Sequence, residues 1–485
     1  MRRDRLLRRL DRADLALYRR AARWHAPVLD ATLPRLTRSA DHGLLWFGVA
    51  AALAGSGRRR AAVRGLASLA VASTVANLPA KHAARRDRPH LAPVPVPRRL
   101  QRQPSTSSFP SGHSASAAAF AMGVALESPL LAAPVGLLAA GVAYGRVHTG
   151  VHYPGDVVAG VALGAASALA VQRVWPVRPD RPAFARPARR PAPALPDGEG
   201  LVLVINTSAG SGDQADAVRQ QLERDLPAAK VVLCGPDDDV QVCLTEAARS
   251  CAVLGVMGGD GTVNCAAGIA LDAGLPLAVF PGGTLNHFAG EVGVSTVDDV
   301  VQALRDGSAV EITVGSADPD GKGLYFLNTF ALGVYPELVR RREAREHAIG
   351  KWPAMALAML QVLRHAEPVF VEVDGQPRRL WTLFAGNGHY HPAGFAPSWR
   401  ERLDDGCIDV RLIDAEQPGS RIRLVLAVLT GRLGKSRVYE QRLVGSLPIR
   451  SRQGGLALAR DGETGEGPGH LTLRAAEHKL VVYLA

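Results

Sequence analysis

Lysine is almost missing from the first 200 residues, where Lys81 stands alone among 28 arginines. Aromatic residues make up only 5% of the chain. That scarcity argues against a single-stranded nucleic-acid binder, which needs stacking platforms, and no nucleic acid is expected as a partner. The chain has five cysteines (Cys234, Cys243, Cys251, Cys265 and Cys407), all beyond residue 200, with no CxxC pair. This excludes a disulfide scaffold or a zinc ribbon and fits reduced thiols in a cytosolic domain. Several apolar runs fall short of the roughly 20 residues that a bilayer crossing takes. The arginine-rich start runs into an amphipathic stretch rather than an unbroken apolar core, so no cleavable signal peptide is expected.

Charge is divided along the chain. Residues 1–200 hold 29 Lys+Arg against 11 Asp+Glu, and residues 201–485 hold 28 against 34. Arginines flanking apolar runs point to a membrane rather than to nucleic acid. The runs are Leu44 to Leu53, Ala61 to Ala80, Ser114 to Leu126, Leu130 to Tyr144 and Val157 to Val171. Their Ala/Gly richness suits close helix packing. Residues 1–40 read as interfacial helices or a solvated arm. Residues 41–176 read as an all-α transmembrane bundle, and 177–198 as an extended Pro/Arg linker with its arginines at anionic headgroups. From Leu201, buried-strand runs alternate with helices, giving an α/β Rossmann-like lobe over 199–317. Residues 318–485 become strand-rich, a mostly-β lobe whose last strands are candidates to return to the first.

Three elements of the apolar part carry chemistry. They are Lys81-x6-Arg88-Pro89, Pro110-Ser111-Gly112-His113 and Arg146-x5-His152-x3-Asp156. Each lies at the end of an apolar run, so all can meet at one membrane face. Ser111 can cap a helix whose free N–H groups seat an anion, and Gly112 lets the backbone come close. Taken singly, each residue has a plainer role: Asp156 as a cap, Arg88 and Arg146 as interface anchors, His152 as a satisfied polar group. Together they supply three cations, an anion seat, two imidazoles and a carboxylate, the parts of metal-free phosphomonoester hydrolysis.

These elements resemble the type 2 phosphatidic acid phosphatase (PAP2) family, whose motif is shared with vanadium haloperoxidases. The resemblance implies that His152 is the nucleophile forming a phosphohistidine, Asp156 fixes its tautomer and His113 is the general acid. Lys81, Arg88, Ser111, Gly112 and Arg146 would bind phosphate, with no cofactor. Gly145 departs from the pattern, which usually has Ser before the arginine.

In the second part, three Gly-rich loops follow strand runs: Asn206-Thr-Ser208-Ala-Gly210, Gly258-Gly259-Asp260-Gly261-Thr262 and Pro281-Gly282-Gly283-Thr284. Strand-end loops of this kind let a backbone approach phosphate. Gly431 to Ser436 imitates a P-loop without its first glycine and is discounted. The triplet resembles the diacylglycerol kinase catalytic family. Phe326-Leu-Asn328-Thr, Leu403-Asp404-Asp405-Gly406 and Asp461-Gly462-Glu463 extend the match. NAD kinases share the Gly-Gly-Asp-Gly-Thr loop, and these later matches favour the lipid reading. The resemblance implies ATP held by Asn206, Ser208, Gly210, Gly258, Gly259, Gly261, Thr262 and Thr284. Glu463 would be the general base, with Asp260 as the competing candidate. Mg²⁺ would lie near Asp461, Asp404 or Asp405, although the last two also suit a simple turn. Thr207 and His287 depart from the pattern.

The implied protein is a bifunctional membrane enzyme, a lipid phosphate phosphatase outside and an ATP-dependent lipid kinase in the cytosol. Lipid phosphate and lipid alcohol are its substrates. The departures leave a second reading open, a phosphatase whose kinase-like part binds nucleotide or lipid without turnover.

Overall fold

The computed structural model describes the chain apart from residues 1, 81–85, 101–105, 179–181, 190, 209–211, 283–286, 295, 319–322, 350–353, 355–356, 359–360, 363, 395–397, 453 and 485. It forms two compact units, Met1–Arg178 and Pro179–Ala485.

The first unit is helical: Arg2–Arg23, Pro27–Ser39, Leu44–Gly55, Arg59–Val75, Gly112–Glu127, Ala132–His148 and Pro154–Val174. Three stretches, Arg59–Leu78, Pro129–His148 and Pro154–Val174, are long and apolar enough to cross a membrane. Small residues let these helices touch. A Cβ at Gly160 would lie 2.5 Å from the Ser111 carbonyl oxygen, and one at Gly164 would run into the Ala115 carbonyl. Farther along helix Gly112–Glu127, a Cβ at Gly123 would meet the Arg64 carbonyl at 2.9 Å. Close backbone approach of this kind is how helices associate where water provides no drive.

The N-terminal helices are packed into this unit rather than solvated. Tyr18 and Ala22 are buried. Tyr18 donates to the His90 carbonyl at 2.8 Å, and Asp14 accepts from the Gly155 N–H at 2.7 Å. The basic start thus has a docked face, while Leu17 and Trp24 stay exposed.

Among the described residues, the second unit has two large sheets and a two-stranded ribbon that pairs Tyr390–His391 with Trp399–Arg400. The seven-stranded sheet runs in the order 186–187, 309–312, 480–483, 277–280, 253–257, 201–206, 230–234. Its centre is parallel, as all-apolar strands such as Leu201–Ile205 require when helices cover both faces. The C-terminal strand Leu480–Tyr483 lies in this sheet beside Leu277–Phe280. The second, eleven-stranded sheet has antiparallel pairings throughout and its own apolar core around Phe330, Leu383, Val410 and Leu471.

The Pro/Arg segment departs from the extended-linker expectation. Arg186–Pro187 pairs with Ala309–Ile312, Ala192 and Leu195 are buried in the α/β core, and Arg186 contacts Asp404 at 3.1 Å. Its alanines and leucine find an apolar surface on the lobe that follows, and one of its arginines meets a carboxylate there.

Gly160→Ala forces a methyl group against the Ser111 carbonyl and should cost about 1–3 kcal/mol. Thermal unfolding in detergent should therefore fall for Gly160→Ala and not for Gly136→Ala, whose Cβ meets nothing within 4 Å. Equal behaviour of the two variants contradicts the packing account.

Candidate active sites

In the helical unit the glycine contacts bring the second and third elements together. Ser111 caps helix Gly112–Glu127, accepting from the Ser114 N–H, and its own N–H donates to the Asp156 carbonyl at 3.0 Å. His152 ends the turn after helix Ala132–His148, which reverses at Gly150 with φ +78°. A Cβ there would sit 2.8 Å from Val94 and in a disfavoured conformation.

His152 is held from both ring nitrogens. Its Nδ1 lies 2.7 Å from the Ser108 carbonyl oxygen, and its Nε2 lies 3.4 Å from the Arg88 guanidinium. A carbonyl only accepts and a guanidinium only donates. Nδ1 therefore carries the proton and Nε2 the lone pair. Burial, followed by the Arg146 and Arg88 cations, pushes this imidazole down to about 4 against the opposing pull of Asp156, so it is neutral at physiological pH. Asp156 stands 3.7 Å from Nδ1. Its oxygens accept from the Tyr153 N–H at 2.9 Å and from Arg86 at 2.7 Å. The tautomer is thus set by Ser108, and Asp156 acts on His152 through charge.

A cavity of about 350 Å³ has Arg88, Gly112, His113, Arg146 and His152 in its wall, with Phe47, Leu69, Ser73 and Asn77 farther along. Arg88 is braced by the carbonyls of Val151 and Thr106 at 2.8 and 2.9 Å. Arg146 is buried and donates to the Thr37 hydroxyl at 3.1 Å. Lys81 lies outside the described residues.

In the α/β lobe, strand Leu201–Asn206 has Lys230–Cys234 on one side and Val253–Met257 on the other, so strand order reverses there. The loops at these strand ends frame the crevice that such a reversal opens. Asn206 joins two of them: its amide donates to Thr262 Oγ1 at 2.9 Å and its carbonyl accepts from the Ser208 N–H at 3.0 Å. Gly259 caps helix Asp260–Ala273, and a Cβ at Gly258 would lie 2.7 Å from Thr262. A Cβ at Gly261 would run into the Glu463 carboxylate. The Gly-rich turn and Glu463 are therefore neighbours. Bare glycine backbone at a helix start fits a nucleotide phosphate. Gly210 and Thr284 lie outside the described residues.

Asp461 and Gly462 form the two-residue turn of a hairpin pairing Arg460 with Glu463, with φ +47° and +92°. The Asp461 carboxylate accepts from the N–H groups of Leu327, Asn328 and Thr329 at 2.8, 2.8 and 2.7 Å. It fastens the Glu463 hairpin to the Phe326–Thr329 segment. Asp404 is buried against Arg402 and Arg186, and Asp405 accepts from the His389 N–H. Among the described residues no group of three or more His, Cys, Asp or Glu side chains is arranged for a metal ion. Asp404 meets arginines and Asp461 meets backbone N–H groups, so their oxygens are already engaged in this arrangement.

Family models match both halves: the PAP2 superfamily over residues 61–180 and the diacylglycerol kinase catalytic domain over residues 200–317. The decaprenylphosphoryl-5-phosphoribose phosphatase of Mycobacterium tuberculosis is 40% identical over 143 residues, 29% of this chain and 76% of that protein. The chain belongs to the PAP2 superfamily, with a diacylglycerol kinase catalytic domain behind it. A Pseudomonas aeruginosa protein described as "Probable lipid kinase YegS-like" is 28% identical over 280 residues, 56% of this chain and 90% of its own. A diacylglycerol kinase structure from Bacillus anthracis aligns at a TM-score of 0.41 and 19% identity, covering 59% of this chain and 97% of that one.

Around the PAP2 site the structure adds residues that motif reading passes over. Arg86 links Asp156 to Asp14 and lies over the Tyr153 ring. Thr37 stands beside Gly145, where a Cβ would meet the Thr37 Cβ at 3.4 Å. A hydroxyl from helix Pro27–Ser39 thus stands beside residue 145, which has none. In the kinase domain, buried Arg400 pairs with Glu291 at 2.8 Å and reaches Asn328 at 3.3 Å, beside Asp461's partners. An arginine-rich composition hides such partners, because nothing in the sequence separates Arg86 from its neighbour Arg85.

Thr37→Val removes the acceptor of a buried guanidinium, a loss of about 1–3 kcal/mol. Phosphate release should drop roughly tenfold in kcat/KM, and adding Gly145→Ser should recover part of it. An unchanged kcat/KM contradicts this assignment.

Proposed function

We propose that the PAP2 domain hydrolyses a lipid phosphate monoester through a phosphohistidine on His152, and that the kinase domain phosphorylates a lipid hydroxyl from ATP. The observation that carries the first half is the Nδ1–H to Ser108 hydrogen bond, which leaves the Nε2 lone pair on the cavity wall. There it can attack phosphorus while Arg88, Arg146 and the Ser111–Gly112 turn neutralise the phosphoryl oxygens. His113, on the same wall, protonates the leaving oxygen. The M. tuberculosis relative is named for a lipid-linked sugar phosphate. Ser73, Asn77, Thr106 and Ser116 on the cavity wall give such a headgroup hydrogen-bonding partners. We therefore favour a sugar-bearing polyprenyl phosphate over a simple phosphatidate.

In the kinase half, Glu463, which neighbours Gly261, takes the proton of the lipid hydroxyl on this reading, with the Gly258–Thr262 turn holding phosphate. Bound ATP supplies the phosphoryl group, and Mg²⁺ arrives as its counter-ion. ATP puts this domain in the cytosol. The apolar helix Pro154–Val174 lies in the chain between His152 and the kinase domain, so the phosphatase face is extracytoplasmic.

Full-length protein in detergent, assayed against lipid phosphates and lipid alcohols with Mg-ATP, separates the halves. His152→Ala should lower phosphate release by more than about 1,000-fold and spare lipid phosphorylation. Glu463→Gln should do the converse, with a loss of roughly 100-fold or more. Activity that survives its own mutation refutes that half, and nucleotide binding without labelled lipid favours a non-catalytic module.

A further inference from the structure

His113 has a partner outside the region matched by the family model. Its Nε2 lies 2.7 Å from Asp41 Oδ1, and Asp41 precedes residue 61, where the match begins. Asp41 opens the short turn Asp41–Gly43 between helices Pro27–Ser39 and Leu44–Gly55. His42 and Gly43 of that turn have φ of +56° and +80°, and both border the cavity. The charged and titratable groups facing His113 are Asp41, Arg146 and His152. Burial, followed by Arg146, pushes the His113 ring down to about 4, and Asp41, the one anion among the three, pulls the other way.

We infer that Asp41 is the positioning residue of the general acid, a second histidine–carboxylate pair beside the nucleophile. This rests on the phosphatase reading above. A carboxylate only accepts, so Nε2–H of His113 is the bond that Asp41 holds. The proton that the ring must take up to act as an acid is then the one on Nδ1, and the carboxylate stabilises the doubly protonated ring that carries it. In the first step His152 Nε2 forms the P–N bond as the P–O bond breaks. The leaving oxygen takes the electron pair and the Nδ1 proton, and His113 stays neutral with Nε2–H on Asp41. In the second step Nδ1 takes a proton from water as the new O–P bond forms and the P–N bond breaks. Both histidines return to their starting states.

The test uses full-length protein in detergent, with an alkyl lipid phosphate and with p-nitrophenyl phosphate, whose leaving group departs without protonation. Asp41→Asn keeps the shape and removes the charge. On the lipid phosphate, kcat/KM should fall about tenfold or more. Its alkaline limb should move to lower pH, because the ring loses its second proton more readily. The loss on p-nitrophenyl phosphate should be several-fold smaller, and Asp41→Glu should recover part of the lipid rate. Equal losses on both esters with an unmoved limb, or no loss at all, overturn the inference. A wild-type protein that releases phosphate from neither ester overturns the phosphatase reading and this inference with it, a result visible before any variant is made.

Discussion

The approach of helix Pro154–Val174 to helix Gly112–Glu127 is the constraint on which the phosphatase half depends. Gly160 and Gly164 have no side chains, so carbonyls of the facing helix occupy the space where Cβ atoms would be. That approach sets the Ser111 N–H on the Asp156 carbonyl, and with it the helix-start anion seat beside His152. The polar site sits in a bundle whose apolar core is mostly alanine and valine, with Trp46, Leu53 and Phe120. An unpaired polar atom in such a setting is costly. The Ser108 carbonyl, Arg88 and Thr37 each satisfy a neighbour and fix its direction at once.

The kinase half obeys a similar logic in a different fold. Its parallel sheet reverses strand order beside Leu201–Asn206, and the glycine turns lie at that reversal. One carboxylate, Asp461, spends its oxygens on three backbone N–H groups and so holds the next-but-one residue, Glu463, against Gly261. An acidic residue in a motif is easily read as a metal ligand. Here its neighbour in function is the chain itself, and the hairpin turn explains the Asp-Gly pair.

Much of the fold was legible because it rests on local pattern. Buried-strand runs, glycine turns at their ends and alanine-rich apolar stretches each declare themselves within a dozen residues. The PAP2 elements were legible because Pro-Ser-Gly-His and Arg-x5-His-x3-Asp combine uncommon residues at fixed spacing. Asp41, Thr37 and Asp14 were not. They are ordinary residues far upstream, and only packing brings them to His113, Arg146 and Arg86. Ser108 acts through its carbonyl, which no side-chain pattern can reveal. The Pro/Arg segment misled for the opposite reason: its composition signals an extended linker, yet Ala192 and Leu195 have an apolar surface to cover.

The central claim is that a neutral His152, its lone pair on Nε2, becomes covalently phosphorylated. Rapid quench of full-length protein with a labelled lipid phosphate, followed by alkaline digestion and peptide mass spectrometry, tests it directly. A base-stable, acid-labile phosphoryl group on His152 that disappears as phosphate is released is the predicted result. Single-turnover phosphate release with no phosphorylated His152, or with the label on another residue, would contradict it.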